Sequence, residues 1–297
     1  MGSAPEVEVV TENLMTRISR RTLLQSAAFA GLGARLAGGA ARGLSIGVTD
    51  WNLNLGGNPD ALPLAARLGF DGVQISFGRR IVDEKLPLDD HEIISHYLSL
   101  SSEHKIPIDG TCVDRLHDNG LKSDRLAIKW VLDSIRLTSA LQTRVLLLPF
   151  FGKWAIQSQD EANAVADALR EVVPEAEKAG VILALEDTIS AENNVRIMDR
   201  VNSKNVSVYY DIGNSTQAGF DVVKEIRWLG KDRICQFHLK DNPYYLGEGS
   251  ISIPRVIEAI RDIGFTGAAN LETDTHAGST VEADMRKNLA YVRQFAG

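Results

Sequence analysis

A short unit recurs along this chain: a helical pattern, then a glycine, then an apolar run that ends in polar residues. It is visible at residues 66–75, 176–184 and 260–270. The glycine stands where a helix needs a residue with positive φ, directly before the next strand. Self-similarity of this kind indicates a repeated supersecondary unit, which limits the fold to architectures built from copies of one helix–strand element.

Short apolar runs typical of buried strands occur eight times after residue 43, separated by amphipathic helical patterns. Eight βα units with no break in composition predict an α/β fold made of a single (β/α)8 TIM barrel over residues 43–297. A doubly wound sheet is the alternative. It normally carries a glycine-rich phosphate turn after an early strand, and Gly56 and Gly57 alone do not form one. The predicted strands lie at 44–48, 73–77, 106–112, 144–150, 181–186, 206–211, 234–239 and 268–272.

Composition narrows the class of partner. At 297 residues with 44% apolar residues, the chain can bury one large core. Its net charge of −7 argues against binding to a phosphate backbone, since nucleic-acid binders present a basic face. We therefore expect no nucleic-acid partner, and the sequence leaves open whether the chain forms a homo-oligomer.

The N-terminal segment carries a pattern of its own. Ser19–Leu24 contains a twin-arginine motif, and a mild apolar run follows from Ala27 to Ala41. That run is rich in Gly and Ala and includes Arg35, so it is too weak for a membrane span. We interpret residues 1–42 as a segment with a twin-arginine signal peptide. This predicts contact with the Tat export machinery, a periplasmic or other extracytoplasmic location and no stable membrane insertion. The alternative is an amphipathic N-terminal helix.

Four consecutive predicted strands end in a potential metal ligand. Glu186, Asp211, His238 and Glu272 stand at the ends of strands five to eight. All strand C-termini of a (β/α)8 barrel point to one rim, so these side chains are expected to converge. Three carboxylates beside an imidazole repel one another unless a cation offsets their charge. Three oxygens and one nitrogen suit Mn²⁺, Mg²⁺, Co²⁺ or Zn²⁺, with positions left for the oxygens of a substrate.

The same strand ends carry short motifs in a fixed order. They are Glu-Asp at 186–187, Asp-Ile-Gly-Asn at 211–214, His-Leu-Lys-Asp at 238–241, Gly-Glu-Gly at 247–249 and Leu-Glu at 271–272. As an ordered set, these motifs resemble the xylose isomerase-like TIM-barrel superfamily, the sugar phosphate isomerase/epimerase family. The resemblance covers residues 44–295.

The resemblance implies a metal-dependent isomerase or epimerase that acts on a keto-sugar through an enediolate. By that resemblance the four strand-end residues bind one divalent metal, for which we expect Mn²⁺ first. Glu186 and Glu272 would exchange the proton as an acid/base pair on opposite faces of the enediolate plane. Tyr244 stands where an Arg is common in the family, which leaves the identity of the substrate open.

Further residues are predicted to shape a sugar pocket at the same rim. Lys240 shares the inward strand face with His238, and Glu248 lies between two glycines in a loop. Asn214 follows the strand-six Asp by three residues and is a plausible ligand for a substrate hydroxyl. Rim residues that follow the first four strands complete the pocket. The predicted substrate-binding residues are Trp51, Asp114, His117, Lys153, Asn214, Lys240 and Glu248.

Three other functions fit parts of the pattern. A lyase or hydratase on 3-keto sugars or glycosides would use the same metal site and the same enediolate chemistry. DNA repair by the AP-endonuclease branch of the superfamily needs several metals and many rim histidines, whereas only His117, His238 and His276 can reach the rim here. A non-catalytic periplasmic sugar-binding protein would be signalled by loss of a Glu, and both Glu186 and Glu272 remain.

If Arg20 and Arg21 are the transport signal, changing both to Lys should trap an uncleaved precursor in the cytoplasm, because the export receptor reads the twin arginines. Cell fractionation with immunodetection checks this, with the unchanged chain as the reference. An unchanged mature species outside the inner membrane would refute the assignment.

Overall fold

The computed structural model describes residues 43–81 and 83–297; residues 1–42, with the predicted export signal, lie outside the described residues. Eight parallel strands close into a barrel in chain order, with the last strand paired to the first. The predicted fold class is therefore confirmed. The strands are β1 Ser45–Thr49, β2 Val73–Ser76, β3 Ile108–Cys112, β4 Val145–Pro149, β5 Ile182–Glu186, β6 Val206–Asp211, β7 Ile234–Leu239 and β8 Ala268–Leu271.

Helices follow the strands and cover their outward faces. Val165 and Leu169 of the longest helix are buried in the same apolar cluster as Leu146 and Leu148 of β4. Among the described residues, we find no helix that combines the length and the apolar character that a membrane span requires. The α-helices are α1 Ala61–Leu68, α2 His91–His104, α3 Arg125–Ala140, α4 Gln159–Ala179, α5 Ala191–Val201, α6 Ile212–Gln217, α7 Val222–Leu229, α8 Ile253–Asp262 and α9 Val281–Arg293, and short 3₁₀ helices cover Asp114–His117 and Gly152–Trp154.

The glycine of the recurring unit has the predicted backbone conformation. Gly69 follows α1 at φ 93°, and Gly180 follows α4 at φ 68°. Their N–H groups donate to carbonyls of the last helical turn, a geometry that costs an L-residue steric strain. A β-carbon at either position would meet nothing within 4 Å, so the backbone angle, and not the available space, favours glycine.

Alternation along β7 separates an inward polar face from an outward apolar face. His238 points into the barrel, as predicted, and so does Gln236; both make hydrogen bonds with residues of other strands. Phe237 and Leu239 lie in the apolar cluster that the strands share with the helices. The period of two therefore carries an imidazole to the inner end of a strand that is otherwise held by apolar packing.

The four predicted metal ligands all stand at the C-terminal rim of the barrel. Glu186 and Asp211 are the last residues of β5 and β6, and His238 is the last but one of β7. Glu272 directly follows β8, and its N–H donates to the carbonyl oxygen of Leu239 at 3.1 Å. The hydrogen-bond ladder of the sheet thus holds each of these positions.

Candidate metal centre and active site

The four strand-end side chains lie together. His238 Nδ1 is 3.0 Å from Glu186 Oε1, 3.4 Å from Glu272 Oε2 and 3.6 Å from Asp211 Oδ2. One ligand atom of each residue lies within 4.8 Å of the others. Three of the four residues are buried, and Glu272 is partly open. This group therefore has the donor set and the spacing of a site for one cation.

The charges of these side chains favour a cation between them. Burial raises the pKa of Glu186 to about 7; His238 opposes the rise, and Glu272 adds to it. Burial alone would lower the pKa of His238, but the Glu272 and Glu186 carboxylates raise it to about 10. The protein groups by themselves thus attract positive charge. Three carboxylate oxygens and one imidazole nitrogen fit Mn²⁺, Mg²⁺, Co²⁺ or Zn²⁺.

Lys240 supplies a fixed positive charge beside this group. Its Nζ lies 2.7 Å from Asp211 Oδ2 and 2.5 Å from Glu272 Oε2. Burial would lower the pKa of Lys240, but Asp211 and Glu272 raise it above its usual range, so the ammonium form persists. Gly213 permits this approach, since a β-carbon there would overlap the Lys240 side chain.

Each glutamate accepts a further side-chain hydrogen bond. Trp51 Nε1 donates to Glu272 Oε1 at 3.1 Å, and Asn214 Nδ2 donates to Glu186 Oε1 at 3.3 Å. The backbone N–H of Asn214 donates to Asp211 Oδ1 at 2.8 Å, which caps α6 and fixes the position of the asparagine. Trp51 and Asn214, both predicted to bind substrate, therefore also orient the two carboxylates.

A cavity of about 380 Å³ opens beside the ligand group. Its size and polar lining suit a small polyol. It includes the predicted residues Trp51, Asp114, His117, Asn214 and Lys240, together with Glu186 and Glu272. Four other lining residues are not among the predicted substrate-binding set: Arg79, Cys112, Pro149 and Phe151.

Alternation along the strands could have identified two of these four. Cys112 and Pro149 are the last residues of β3 and β4. They are the counterparts of Glu186 and Asp211 on the next two strands, so the same rule places them at the rim. Neither side chain carries a charged or strongly polar group, which is the feature that marks a candidate site residue in a sequence.

The loops after β2 and β3 form a polar wall of the cavity. Asp114 Oδ2 accepts a hydrogen bond from Ser76 Oγ at 2.7 Å, and burial raises the pKa of Asp114 although this bond opposes the rise. The His117 ring stacks on Phe151 with centroids 6.2 Å apart. Burial, and then the charge of Arg79, lower the pKa of His117. This wall offers a carboxylate, a neutral imidazole and an arginine, which are hydrogen-bonding groups for hydroxyls.

Two predicted substrate residues do not reach the cavity. Lys153 is exposed, and its Nζ lies 4.9 Å from the ring centroid of Trp154. Glu248 is exposed and pairs with Lys287 at 2.7 Å. Neither residue lines the cavity, because the loops that carry them hold their side chains against other partners.

Comparison with known proteins agrees with this architecture. The profile of the xylose isomerase-like TIM barrel family matches residues 62–295. The 2-epi-5-epi-valiolone 7-phosphate 2-epimerase of Actinoplanes sp. is 28% identical over 262 residues, which cover 84% of this chain and 94% of that protein. The L-ribulose-5-phosphate 3-epimerase UlaE of Salmonella heidelberg is 26% identical over 261 residues, covering 78% of this chain and 87% of that protein.

Solved structures share the fold at lower sequence identity. A structure of L-ribulose 3-epimerase superposes with a TM-score of 0.71 at 17% identity and covers 85% of this chain and 94% of its own. The 3-keto-D-glucoside 4-epimerase YcjR from E. coli gives a TM-score of 0.68 at 17% identity, covering 84% of this chain and 99% of its own. At these identities the likeness establishes the barrel and not the reaction.

Asp211→Ala and His238→Ala should each abolish binding of one Mn²⁺ per chain, because each change removes a ligand. They should also abolish the stabilisation that Mn²⁺ is expected to give the unchanged protein, about 2.7 kcal/mol at a concentration of about 100 times Kd. Metal analysis after dialysis, with thermal melts in the presence and absence of Mn²⁺, measures both effects. His96→Ala, an exposed histidine on α2, is the matched control. Full metal occupancy in both ligand variants would contradict the assignment of Asp211 and His238 as metal ligands.

Proposed function

Because the chain belongs to the xylose isomerase-like TIM barrel family, we propose that it is a divalent-metal-dependent epimerase or isomerase of a keto-sugar. The convergence of Glu186, Asp211, His238 and Glu272 beside a cavity of sugar size carries this proposal. Both curated relatives described above are epimerases, which supports the isomerase class.

The proposed reaction assigns the first proton transfer to Glu186. Epimerisation next to a carbonyl removes a weakly acidic C–H proton and returns it to the opposite face. A divalent cation, for which we propose Mn²⁺, would stabilise the negative charge that develops on the substrate oxygens. Glu186 Oε1 accepts a hydrogen bond from Asn214 Nδ2 and lies 3.0 Å from His238 Nδ1. Its Oε2 has no donor among the described residues and is therefore able to take the proton.

Glu272 is the second acid/base group of the proposal. It follows β8, three strands away from Glu186 on β5, and so approaches the cavity from another side of the barrel. Lys240 and Trp51 donate to its two oxygens and hold the carboxylate in one orientation. In this direction Glu272 enters the reaction as the carboxylic acid and gives its proton to the face opposite the one that Glu186, as the carboxylate, deprotonates; for the other epimer the two protonation states are exchanged.

Glu186→Gln and Glu272→Gln should each lower the rate of epimerisation about 10²- to 10⁴-fold, since each removes one of two proton-transfer groups. Each variant should still exchange the C–H proton of one epimer for deuterium in D₂O with Mn²⁺ added, because the remaining carboxylate faces one side of the enediolate. NMR on a panel of ketoses measures exchange and epimerisation together.

Glu192→Gln, an exposed residue at the start of α5, is the matched control for these variants. Exchange of both epimers by both variants would contradict the two-base assignment. A dehydrated or cleaved product from the unchanged protein would favour a lyase or hydratase that uses the same metal site. Absence of exchange with every ketose, together with tight sugar binding, would favour a non-catalytic binding protein.

We further propose that the substrate is an unphosphorylated keto-sugar or keto-glycoside. A phosphate dianion is usually held by arginine forks or by a helix N-terminus. Of the two cations that line the cavity in the described part of the chain, Lys240 is already paired with Asp211 and Glu272. Arg79 lines the same cavity as Asp114, whose carboxylate would repel a phosphate.

Both curated relatives are named for phosphate esters, so an unphosphorylated substrate would be a departure specific to this chain. The extracytoplasmic location that the twin-arginine motif predicts agrees with it.

Paired rate measurements on matched ketoses with and without a terminal phosphate decide this point. We expect kcat/KM to favour the unphosphorylated sugar. Arg79→Gln should lower kcat/KM for both substrates alike, because the arginine then serves hydroxyl groups. A preference of roughly tenfold or more for the phosphate ester, about 1.4 kcal/mol in the transition state, would overturn the proposal. Such a preference that Arg79→Gln removed would identify a phosphate site.

A further inference from the structure

The His238 ring nitrogen that points away from the carboxylates, Nε2, has a close polar neighbour of its own. Nδ1 points to Glu186, and Nε2 lies 2.7 Å from Gln74 Oε1. His238 and Gln74 are fully buried, and they come from β7 and β2, so the bond spans the interior of the barrel. In such surroundings a ring nitrogen needs a hydrogen-bond partner, and Gln74 supplies it.

The bond to Gln74 is one end of a longer chain of hydrogen bonds. Tyr209 Oη donates to the same Gln74 Oε1 at 3.1 Å, and Asn270 Nδ2 donates to Tyr209 Oη at 3.0 Å. Asn270 Nδ2 also donates to Asp109 Oδ1 at 3.3 Å. We call the four residues the Gln74 chain: Gln74, Tyr209, Asn270 and Asp109.

The role of each group in the Gln74 chain, as hydrogen-bond donor or acceptor, sets the role of the next group. The amino group of Asn270 donates both to Asp109 Oδ1 and to Tyr209 Oη, so Asn270 is the donor at this point of the chain. The Tyr209 oxygen then receives a hydrogen bond and gives its own proton to Gln74. Gln74 therefore presents its carbonyl oxygen, which can only accept a hydrogen bond from His238 Nε2–H.

The packing around the imidazole does not determine which of its two nitrogens carries the proton. The Tyr209 ring lies 4.4 Å from the His238 ring at 52°, and the Trp51 ring lies 5.9 Å away at 81°. These contacts limit the tilt of the imidazole plane but do not distinguish a protonated nitrogen from a bare one. Gln74 Nε2 is buried without a partner among the described residues, so the hydrogen bonding of that amide is concentrated on Oε1.

We propose that the Gln74 chain holds His238 with a proton on Nε2, so that Nδ1 is the nitrogen that binds the divalent metal. Gln74 is then a positioning residue: it acts through His238 and does not line the cavity. The inference rests on the proposed metal site, but its hydrogen bonds can be tested without a metal. Partners of this kind fix the ring and raise the basicity of the nitrogen that binds the metal.

Gln74→Met keeps the length of the side chain and removes the acceptor, so it should weaken Mn²⁺ binding about 10- to 100-fold. Gln74→Glu restores an acceptor and should bring Mn²⁺ affinity back most of the way. Gln236→Met is the matched control, because Gln236 is also buried inside the barrel but donates to the carbonyl oxygen of Asp109 at 2.6 Å. It should leave the affinity unchanged. Electron paramagnetic resonance of free Mn²⁺ measures the Mn²⁺ affinity of the unchanged chain and of each variant.

A second measurement follows the His238 Nε2–H proton by NMR in the metal-free protein. We expect a downfield signal that exchanges slowly with water, because the proton is buried and hydrogen-bonded. The signal should be lost in Gln74→Met and retained in Gln74→Glu and Gln236→Met. Tyr209→Phe removes one donor to Gln74 and should shift the signal without abolishing it.

The two measurements separate this inference from the proposed function. If Gln74→Met binds Mn²⁺ as tightly as the unchanged protein, the proposal is overturned. It is also overturned if Gln74→Glu or Gln236→Met weakens binding as much as Gln74→Met does, since the loss would then reflect packing. If the unchanged protein binds no metal but the proton is lost only in Gln74→Met, the Gln74 chain stands and the proposed function fails.

Discussion

Pairing of β8 with β1 is the interaction on which the candidate site depends. Four residue pairs, from Ser45 with Ala268 to Val48 with Leu271, join the last strand to the first. Closure bends the sheet round one axis, so the side chains at the ends of β5 and β8 point toward a common centre. Their ligand atoms lie within 4.8 Å of each other. Backbone hydrogen bonds thus bring the carboxylates together. Lys240 and His238, which pair with these carboxylates, reduce the electrostatic repulsion between them.

Most of the barrel could be predicted because its signal is local. An apolar run bounded by polar residues marks each strand, and β6 and β7 end at the residues that this rule predicts. Parallel topology then places Glu186 and Asp211 at one rim without any knowledge of loops. Lys153 and Glu248 depend on loop conformation instead, which no period in the sequence encodes, and their side chains turn to Trp154 and Lys287.

The hydrogen bonds inside the barrel could not be predicted from the sequence, for a different reason. Gln74, Tyr209 and Asn270 look like ordinary polar or aromatic strand residues, and a polar residue in a strand is equally consistent with an exposed face. Their partners lie between 61 and 164 positions away in the chain. The register also shifts at Val73/Gln74 and at Val208/Tyr209, so strict alternation does not determine which way these side chains point.

Asp109 is the second residue of β3, near the N-terminal end of the barrel, whereas the cavity opens at the C-terminal ends of the strands. A mutational library chosen by distance from the cavity would therefore leave Asp109 and Asn270 unvaried. Grafting the rim loops onto another eight-stranded scaffold would carry over the carboxylates but not the groups that orient His238. For enzyme engineering, the transferable unit is the rim together with the cross-section of barrel beneath it.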